Sequence, residues 1–139
     1  MDTPPTPPAR PPRRLRPALR VLLACAMVGV GIGHFVAPTP FVRIVPAWLP
    51  APLLLVYASG LFEVLGGVGL LIPRVRRAAG IGLAALYLAV FPANVNMAVN
   101  QATIEGAARI PAALLWARLP FQAVFIAWAL WVSKKDEER

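Results

Sequence analysis

A single carboxylate, Glu63, interrupts a segment that is otherwise apolar from Leu53 to Ile72. A charged side chain at the bilayer centre costs at least about 2.5 kcal/mol of insertion free energy, so it usually faces a bundle interior and a partner. The chain has one histidine, His34, whose imidazole can gain or lose a proton near neutral pH. A carboxylate beside an imidazole can transfer protons to and from a bound molecule. Glu63 and His34 are therefore the candidate proton-bearing pair.

Other polar side chains are concentrated toward one end of the apolar segments. His34 lies near the end of the first segment, Asn94 near the end of the third, and Arg118 and Gln122 at the start of the fourth. At a helical rise of about 1.5 Å per residue, Glu63 lies roughly 16 Å inside the second segment. This pattern predicts an outward-facing polar pocket with Glu63 toward its floor. The candidate ligand-binding residues are Glu63, His34, Asn94, Arg118 and Gln122.

The four candidates other than Glu63 also have a structural interpretation. Asparagine and glutamine often join membrane helices through hydrogen bonds worth about 0.6 kcal/mol on average, which applies to Asn94 and Gln122. Arg118 can extend its side chain to the membrane interface, and His34 can be an ordinary packed side chain. His34 and Glu63 supply only two ligands, so no metal site is predicted.

The composition is that of an integral membrane protein. Hydrophobic residues make up 58% of the 139 residues, charged residues only 14%, and the mean hydropathy is +0.66. A soluble domain of this size needs more polar surface than these residues can provide. The single cysteine, Cys25, excludes a disulfide, a CxxC redox pair or a cysteine metal site within one chain.

Four apolar segments are long enough, or nearly long enough, to cross a bilayer as helices. Because apolar residues are almost continuous along them, neither amphipathic surface helices nor alternating strands fit the pattern. The fold class is therefore all-α, an integral membrane four-helix bundle. The predicted spans are residues 18–37, 52–72, 77–99 and 119–133.

The basic residues predict how the bundle is oriented. Eleven of the fourteen lysines and arginines lie before or at the start of the first span, just before or at the start of the third, or after the fourth. The positive-inside rule then places both termini in the cytoplasm. Because the charges flank hydrophobic spans and lack interleaved aromatic residues, the net charge of +8 indicates topology and no nucleic-acid partner.

The chain divides into one domain and two tails. Residues 1–17 hold seven prolines among basic residues, which predicts a disordered cytoplasmic tail near anionic lipid. Residues 18–133 form the transmembrane domain, and residues 134–139 form a charged cytoplasmic tail. Between Pro38 and Pro50, a short helix is predicted to lie in the lipid boundary with Phe41 on its apolar face.

Glycines are predicted to bring the spans into close contact. Gly29 and Gly33 form a GxxxG pair in the first span, which suits helix packing. Four glycines surround Glu63 in the second span and predict close packing there: Gly60, Gly66, Gly67 and Gly69.

Several blocks resemble the DoxX-like family of small membrane proteins. The clearest is GLFEVLGGVGLLIP, residues 60–73, with its acid in a glycine-rich helix. Shorter matching blocks are GHF at 33–35, FPAN at 91–94 and RLPFQ at 118–122. The resemblance covers residues 18–133 and implies a four-helix bundle associated with quinone-linked oxidoreductases of sulfur metabolism. The chain departs from the related redox branches because it lacks paired cysteines.

Two classes of function remain open. In the first, the chain is a membrane subunit or anchor of a quinone-linked oxidoreductase system in the bacterial inner membrane, with partner subunits and a quinone or another small molecule in its pocket. In the second, it binds or transports a small solute, or is a non-catalytic assembly factor. The residues provide no activated nucleophile, metal cluster or phosphate-binding loop, so no enzyme acting alone is predicted.

Overall fold

The structure is a computed structural model that describes residues 15–100 and 110–135, and all regular elements in this part of the chain are helices. Four of the five helices, α2 being the exception, are long and apolar enough to cross a membrane. The predicted all-α architecture with four membrane spans is therefore confirmed. The helices are α1 (Leu15–Val36), α2 (Thr39–Ile44), α3 (Pro52–Leu71), α4 (Arg76–Asn100) and α5 (Ala112–Val132).

The first helix begins earlier than predicted. α1 starts at Leu15, so residues 15–17 belong to the helix and were wrongly assigned to the disordered tail. Pro17 lies in the first turn, where its missing N–H has no partner within the helix in any case. The rest of the predicted tail, residues 1–14, and the end of the chain, residues 136–139, lie outside the described residues.

The fourth span is longer than predicted. α5 starts at Ala112 rather than at residue 119, and its 21 residues are enough to cross a bilayer without local thinning. Pro120, one residue after the predicted start of this span, lies inside the helix. A proline removes the hydrogen bond to the carbonyl four residues before it, and membrane helices tolerate that loss. Pro92 lies inside α4 in the same way.

α3 is the central packing element, because it contacts both α1 and α4. A Cβ added to Gly31 of α1 would lie 2.7 Å from the carbonyl oxygen of Gly60 in α3. On the other side of α3, a Cβ on Gly66 would lie 2.5 Å from Leu83 of α4. Such approaches are open only to glycine, so the predicted close packing by the α3 glycines is confirmed.

The predicted contact through Gly29 and Gly33 is wrong. A Cβ on Gly29 would meet no atom within 4 Å, and one on Gly33 would meet only Phe41 at 4.0 Å. Gly31 makes the contact with α3 instead. Positions two residues apart point to different sides of a helix, so Gly29 and Gly31 cannot both face α3.

The two ends of the described chain lie at one end of the bundle, called here the terminal end. Arg16 of α1 donates from Nε and Nη2 to the Trp131 carbonyl of α5, at 3.1 and 3.0 Å. Arg20 donates from Nε to the Val132 carbonyl at 2.8 Å, and Arg77 of α4 donates to the Leu130 carbonyl at 3.3 Å. Cations at a helix C-terminus also interact favourably with the helix dipole. These arginines connect α1 and α4 to the C-terminal end of α5.

Apolar clusters fill the bundle on both sides of a polar layer. The larger cluster includes Leu23, Leu70, Leu83 and Val132 toward the terminal end. The smaller cluster, Met97, Ala98 and Leu115, lies toward the opposite end. Large apolar side chains such as Leu54, Phe62, Leu88 and Phe121 are exposed on the outer faces, as expected for surfaces in contact with lipid.

We expect Gly31→Ala to destabilise the bundle by about 1–3 kcal/mol, because the added methyl group overpacks the contact with α3. Gly29→Ala in the same helix is the matched control and should leave stability unchanged or slightly raised, since its Cβ meets open space. Unfolding of the two purified variants in detergent, followed by circular dichroism, measures the difference. Equal stability of the two variants would contradict the described packing of α1 against α3.

Candidate functional site

Glu63 and His34 form a buried pair between α3 and α1. The Glu63 Oε2 atom lies 3.3 Å from the His34 Nδ1 atom, and the two side chains are 13% and 9% exposed. The close approach of the helices at Gly31 and Gly60 brings them together, since a Cβ on Gly60 would lie 2.6 Å from the His34 Cβ atom. The predicted pairing of these two residues is therefore present in the structure.

The hydrogen bonds of His34 determine which ring nitrogen holds the proton. Nδ1 lies 2.9 Å from the Val30 carbonyl oxygen, one turn earlier in α1. Because a carbonyl oxygen only accepts hydrogen bonds, Nδ1 must donate, and Nε2 of the neutral ring is then an acceptor. The assignment follows from this hydrogen bond. The single N–H of the neutral His34 ring therefore donates mainly to the Val30 carbonyl of its own helix.

Glu63 is left without a strong hydrogen-bond donor. Its Oε2 atom is buried and has no hydrogen-bond partner among the described residues. The His34 N–H that faces it already donates over the shorter distance to Val30. A buried acceptor without a donor is destabilising by about 1–3 kcal/mol, which makes Glu63 a candidate for contact with a further group. Glu63 is also the only acidic residue in residues 15–100 and 110–135.

The short helix α2 covers this pair on the side opposite to the terminal end. The Phe41 ring stacks on the His34 imidazole, with 3.8 Å between ring centroids and 22° between planes. Asn96 of α4 holds the end of α2 by donating to the Ile44 carbonyl at 3.0 Å. The apolar face of α2 was predicted to lie in the lipid boundary, which is wrong for Phe41. An aromatic ring gains more from stacking on His34 than from lipid contact.

Asn94 and Gln122 form a second polar pair, between α4 and α5. Asn94 Nδ2 donates to Gln122 Oε1 at 3.1 Å, and Gln122 Nε2 donates to the carbonyl of Tyr87. Gln122 is buried, so these hydrogen bonds satisfy a side chain that cannot reach water. The structural interpretation of these amides, as links between helices, fits this geometry.

Gln122 also lies deeper than predicted. Because α5 starts at Ala112, Gln122 is about 15 Å inside the helix at a rise of about 1.5 Å per residue. That depth is close to that of Glu63 in α3. The two side chains therefore occupy one layer of the bundle.

Tyr87 joins the amide pair to α1, and the sequence did not predict this role. Its hydroxyl donates to the Met27 sulfur of α1 at 3.0 Å. Its carbonyl accepts the hydrogen bond from Gln122. A tyrosine in an apolar segment resembles a core aromatic, and the missing N–H of Pro92 frees the carbonyl of Leu88 rather than that of Tyr87. The sequence therefore offered no signal that set Tyr87 apart.

Arg118 does not join either pair. Its side chain is exposed, and its described polar contact is with the Met97 sulfur at 3.5 Å. No hydrogen bond or ion pair connects Arg118 to Glu63 among the residues that the structure describes. The five predicted ligand-binding residues are thus divided into the pair Glu63–His34, the pair Asn94–Gln122, and Arg118. That all five line one pocket stays a prediction.

Two grooves lie on the surface of the bundle, and neither is lined by Glu63 or His34. A groove of about 260 Å³ between α3 and α4 is lined by Phe62, Gly66, Gly69 and other apolar residues. A second groove of about 310 Å³ lies beside Trp48, Asn96 and Asn100, toward the end of the bundle opposite to the termini. Residues 15–100 and 110–135 contain no group of three or more His, Cys, Asp or Glu side chains that could hold a metal ion.

We expect the amide pair to show measurable coupling in a double-mutant cycle. Asn94→Ala and Gln122→Ala each remove the same hydrogen bond, so their combined effect should be smaller than the sum by about 0.6 kcal/mol. Unfolding of the two single variants and the double variant in detergent gives this coupling energy. Strictly additive effects would show that the hydrogen bond between α4 and α5 contributes nothing to stability.

Comparison with known proteins identifies one family. The family model described as Domain of unknown function (DUF8561) matches residues 23–133, which includes all four membrane-spanning helices in large part. No curated protein matches the chain. No solved structure matches it either. Because the family model covers most of the chain, this multi-pass membrane protein belongs to the DUF8561 family, a family of unknown function.

Proposed function

We propose that this protein is a membrane subunit or anchor of a quinone-linked oxidoreductase system, with a binding site for the quinone head group at Glu63 and His34. The observation that carries the proposal is the buried Glu63 Oε2 atom. This atom lies 3.3 Å from His34 Nδ1 and has no hydrogen-bond partner among the described residues. Reduction of a quinone takes up two electrons and two protons. A buried carboxylate and an imidazole in contact are suited to exchange those protons with a bound head group.

In this proposal the electrons come from a partner subunit. The described residues contain one cysteine, Cys25, and no cluster of metal ligands. Cys25 lies on an exposed face of α1, in the region of the lipid, and not beside Glu63. The membrane subunit would therefore bind the quinone and manage its protons, while an oxidoreductase partner carries the redox centre.

The resemblance to DoxX-like proteins supports the same proposal. The block GLFEVLGGVGLLIP places Glu63 among the glycines that pack α3 against α1 and α4. The block GHF places His34 where α1 meets Glu63. Two blocks on which the resemblance rests thus supply the two members of the buried pair.

The second candidate is a binding or transport protein for another small solute, or a non-catalytic assembly factor. The hydrogen bonds among Asn94, Gln122 and Tyr87 favour a structural role for the α4–α5 half, because they satisfy these amide groups without a ligand. The unpartnered Glu63 oxygen favours a ligand at the α1–α3 half. We therefore confine the proposed ligand contacts to Glu63 and His34.

We propose the bacterial inner membrane as the location, with both termini in the cytoplasm. The basic residues Arg16, Arg20 and Arg77 all lie at the terminal end of the bundle, where they contact α5. Toward the opposite end, the described basic residues are Arg43 in α2 and Arg118 in α5. This distribution agrees with the positive-inside rule.

Small molecules extracted from the purified protein test the binding site. We expect wild-type protein prepared gently from its native membrane to carry a quinone that mass spectrometry detects. The Glu63→Leu variant should lose it, because leucine has a similar size and no acceptor. Ser59→Ala is the matched control in the same helix, since the Ser59 hydroxyl donates only to its own helix at Val56.

Recovery of the same quinone from folded Glu63→Leu protein would contradict a site built on Glu63. Absence of any ligand from all three proteins would favour the assembly-factor candidate.

Cysteine labelling tests the orientation. In a Cys25→Ser background, Thr39→Cys and Lys134→Cys place one thiol at each end of the bundle, and both positions are exposed. A membrane-impermeant maleimide added to intact bacterial spheroplasts should label the Thr39→Cys protein and leave the Lys134→Cys protein unlabelled until the membrane is permeabilised. The reverse pattern would overturn the proposed orientation.

A further inference from the structure

We propose that the groove between α3 and α4, called here the α3–α4 groove, binds one anionic phospholipid, with the headgroup phosphate at Arg74 and an acyl chain in the groove. Neither Glu63 nor His34 lines this groove, so the inference goes beyond the proposed function and does not depend on it. The groove lies between two alanines and Gly82 of α4, Val75 of the preceding turn, and four residues of α3: Phe62, Leu65, Gly66 and Gly69.

The α3–α4 groove runs from the terminal end of the bundle into its apolar layer. Val75 belongs to the turn between α3 and α4, and the hydrogen bond from Arg77 to the Leu130 carbonyl places this turn at the terminal end. Gly82 lies seven residues beyond Val75, which is about 10 Å at a helical rise of about 1.5 Å per residue. A molecule that follows the groove therefore has one end at the membrane surface and the other among the lipid chains.

The size and walls of the groove suit a single acyl chain. Its volume of about 260 Å³ is below the roughly 300–1,000 Å³ of pockets that enclose compact small molecules. A Cβ on Gly66 would lie 2.5 Å from Leu83, and one on Gly69 would lie 2.8 Å from the Ala79 Cβ atom, so α4 already covers these glycines. The exposed rim on α3 is Phe62, which is 57% exposed, and Leu65, which is 56% exposed. A flexible chain can follow such a rim, whereas a second helix packs closely on exposed small residues.

The terminal end, where the groove begins, is strongly positive. Glu63, within α3, is the only acidic residue in residues 15–100 and 110–135. The segments that continue the chain from this end, residues 1–14 and 136–139, contain four basic and four acidic residues and leave the balance unchanged. The described basic residues at this end are Arg16, Arg20, Arg74, Arg76, Arg77, Lys134 and Lys135.

Arg74 is the basic residue best placed to receive a phosphate at the groove. It directly precedes Val75, its side chain is exposed, and it makes no hydrogen bond or ion pair with the part of the chain that the structure describes. By contrast, Arg76 donates to the Leu70 carbonyl at 3.2 Å, and Arg77 donates to the Leu130 carbonyl. A guanidinium group is always charged in proteins, and its planar set of N–H donors matches the oxygens of a phosphate.

The headgroup, rather than the acyl chain, decides which lipid binds. Lipid chains are as apolar as the leucines of the bundle, so a chain in the groove gains contact and orientation but little selectivity. Basic pockets between membrane helices on the cytoplasmic side bind anionic headgroups, and one arginine near the surface changes the affinity by about fivefold. We therefore expect phosphatidylglycerol to bind at least about fivefold more tightly than phosphatidylethanolamine, which has no net charge.

Native mass spectrometry of the full-length protein in detergent measures this preference. Dioleoyl phosphatidylglycerol or dioleoyl phosphatidylethanolamine is added in known amounts, and the dissociation constant of the first bound lipid is determined for each. The two probes carry the same acyl chains, so a difference between them reports on the headgroup.

A variant that fills the groove tests the position of the acyl chain. A Cβ on Gly82 would meet no atom within 4 Å, so Gly82→Leu should place its side chain in the groove without disturbing the contact between α3 and α4. We expect it to weaken the binding of both lipids. Gly29→Leu is the matched control, because a Cβ on Gly29 also meets open space and Gly29 does not line the groove.

A second variant tests the position of the phosphate. Arg74→Gln should weaken the binding of phosphatidylglycerol by about fivefold and leave that of phosphatidylethanolamine unchanged. Lys134→Gln removes the same charge from an exposed position after α5 and should keep the wild-type preference. If Gly82→Leu fails to fold, the comparison of wild type with Arg74→Gln still tests the inference.

Three outcomes would overturn the inference, and none of them affects the proposed site at Glu63. The first is equal affinity of folded wild-type protein for both lipids. The second is unchanged lipid binding by folded Gly82→Leu protein, because the acyl chain would then lie elsewhere. The third is a wild-type dimer that Gly82→Leu converts to a monomer, which would assign the groove to a second copy of the chain.

Discussion

The burial of one carboxylate in an apolar bundle is the constraint on which the rest of the structure depends. Removing Glu63 from water is unfavourable unless polar neighbours compensate, so the fold must bring such neighbours to it. Gly31 and Gly60 allow the backbones of α1 and α3 to pack in close contact. This contact places the His34 Nδ1 atom 3.3 Å from the Glu63 carboxylate. With larger residues at these positions, the helices would separate and Glu63 would lose its nearest polar neighbour.

Polar neighbours satisfy the buried Glu63 carboxylate only in part, whereas the buried polar groups between α4 and α5 satisfy one another. This difference distinguishes the two halves of the bundle. Between α4 and α5, Asn94, Gln122 and the Tyr87 carbonyl satisfy one another, as expected for hydrogen bonds that hold helices together. Between α1 and α3, the histidine N–H is used on Val30 and one carboxylate oxygen has no donor. A buried group without a partner is rarely retained for stability, so this half of the polar layer is the better candidate for function.

The ends of the bundle are closed by different interactions. At the terminal end, arginine side chains from α1 and α4 donate to the last carbonyls of α5, which have no partners within that helix. At the opposite end, the short helix α2 covers the buried pair through the stacking of Phe41 on His34, and Asn96 holds α2 in place. Charged side chains close the terminal end, whereas an aromatic ring and one amide cover the opposite side of the buried pair.

The sequence by itself determined the class of the protein, the number of spans and the importance of Glu63, because these depend on local hydrophobicity and on the free energy of burying a charge. It also identified His34 as the partner, since no other histidine exists in the chain. Tertiary structure decided which glycine faces α3, that Gln122 bonds to Tyr87 rather than to Glu63, and that α5 continues through Pro120. These features depend on the rotation of each helix about its axis and on contacts between distant segments, which nearly uniform apolar sequences do not encode locally.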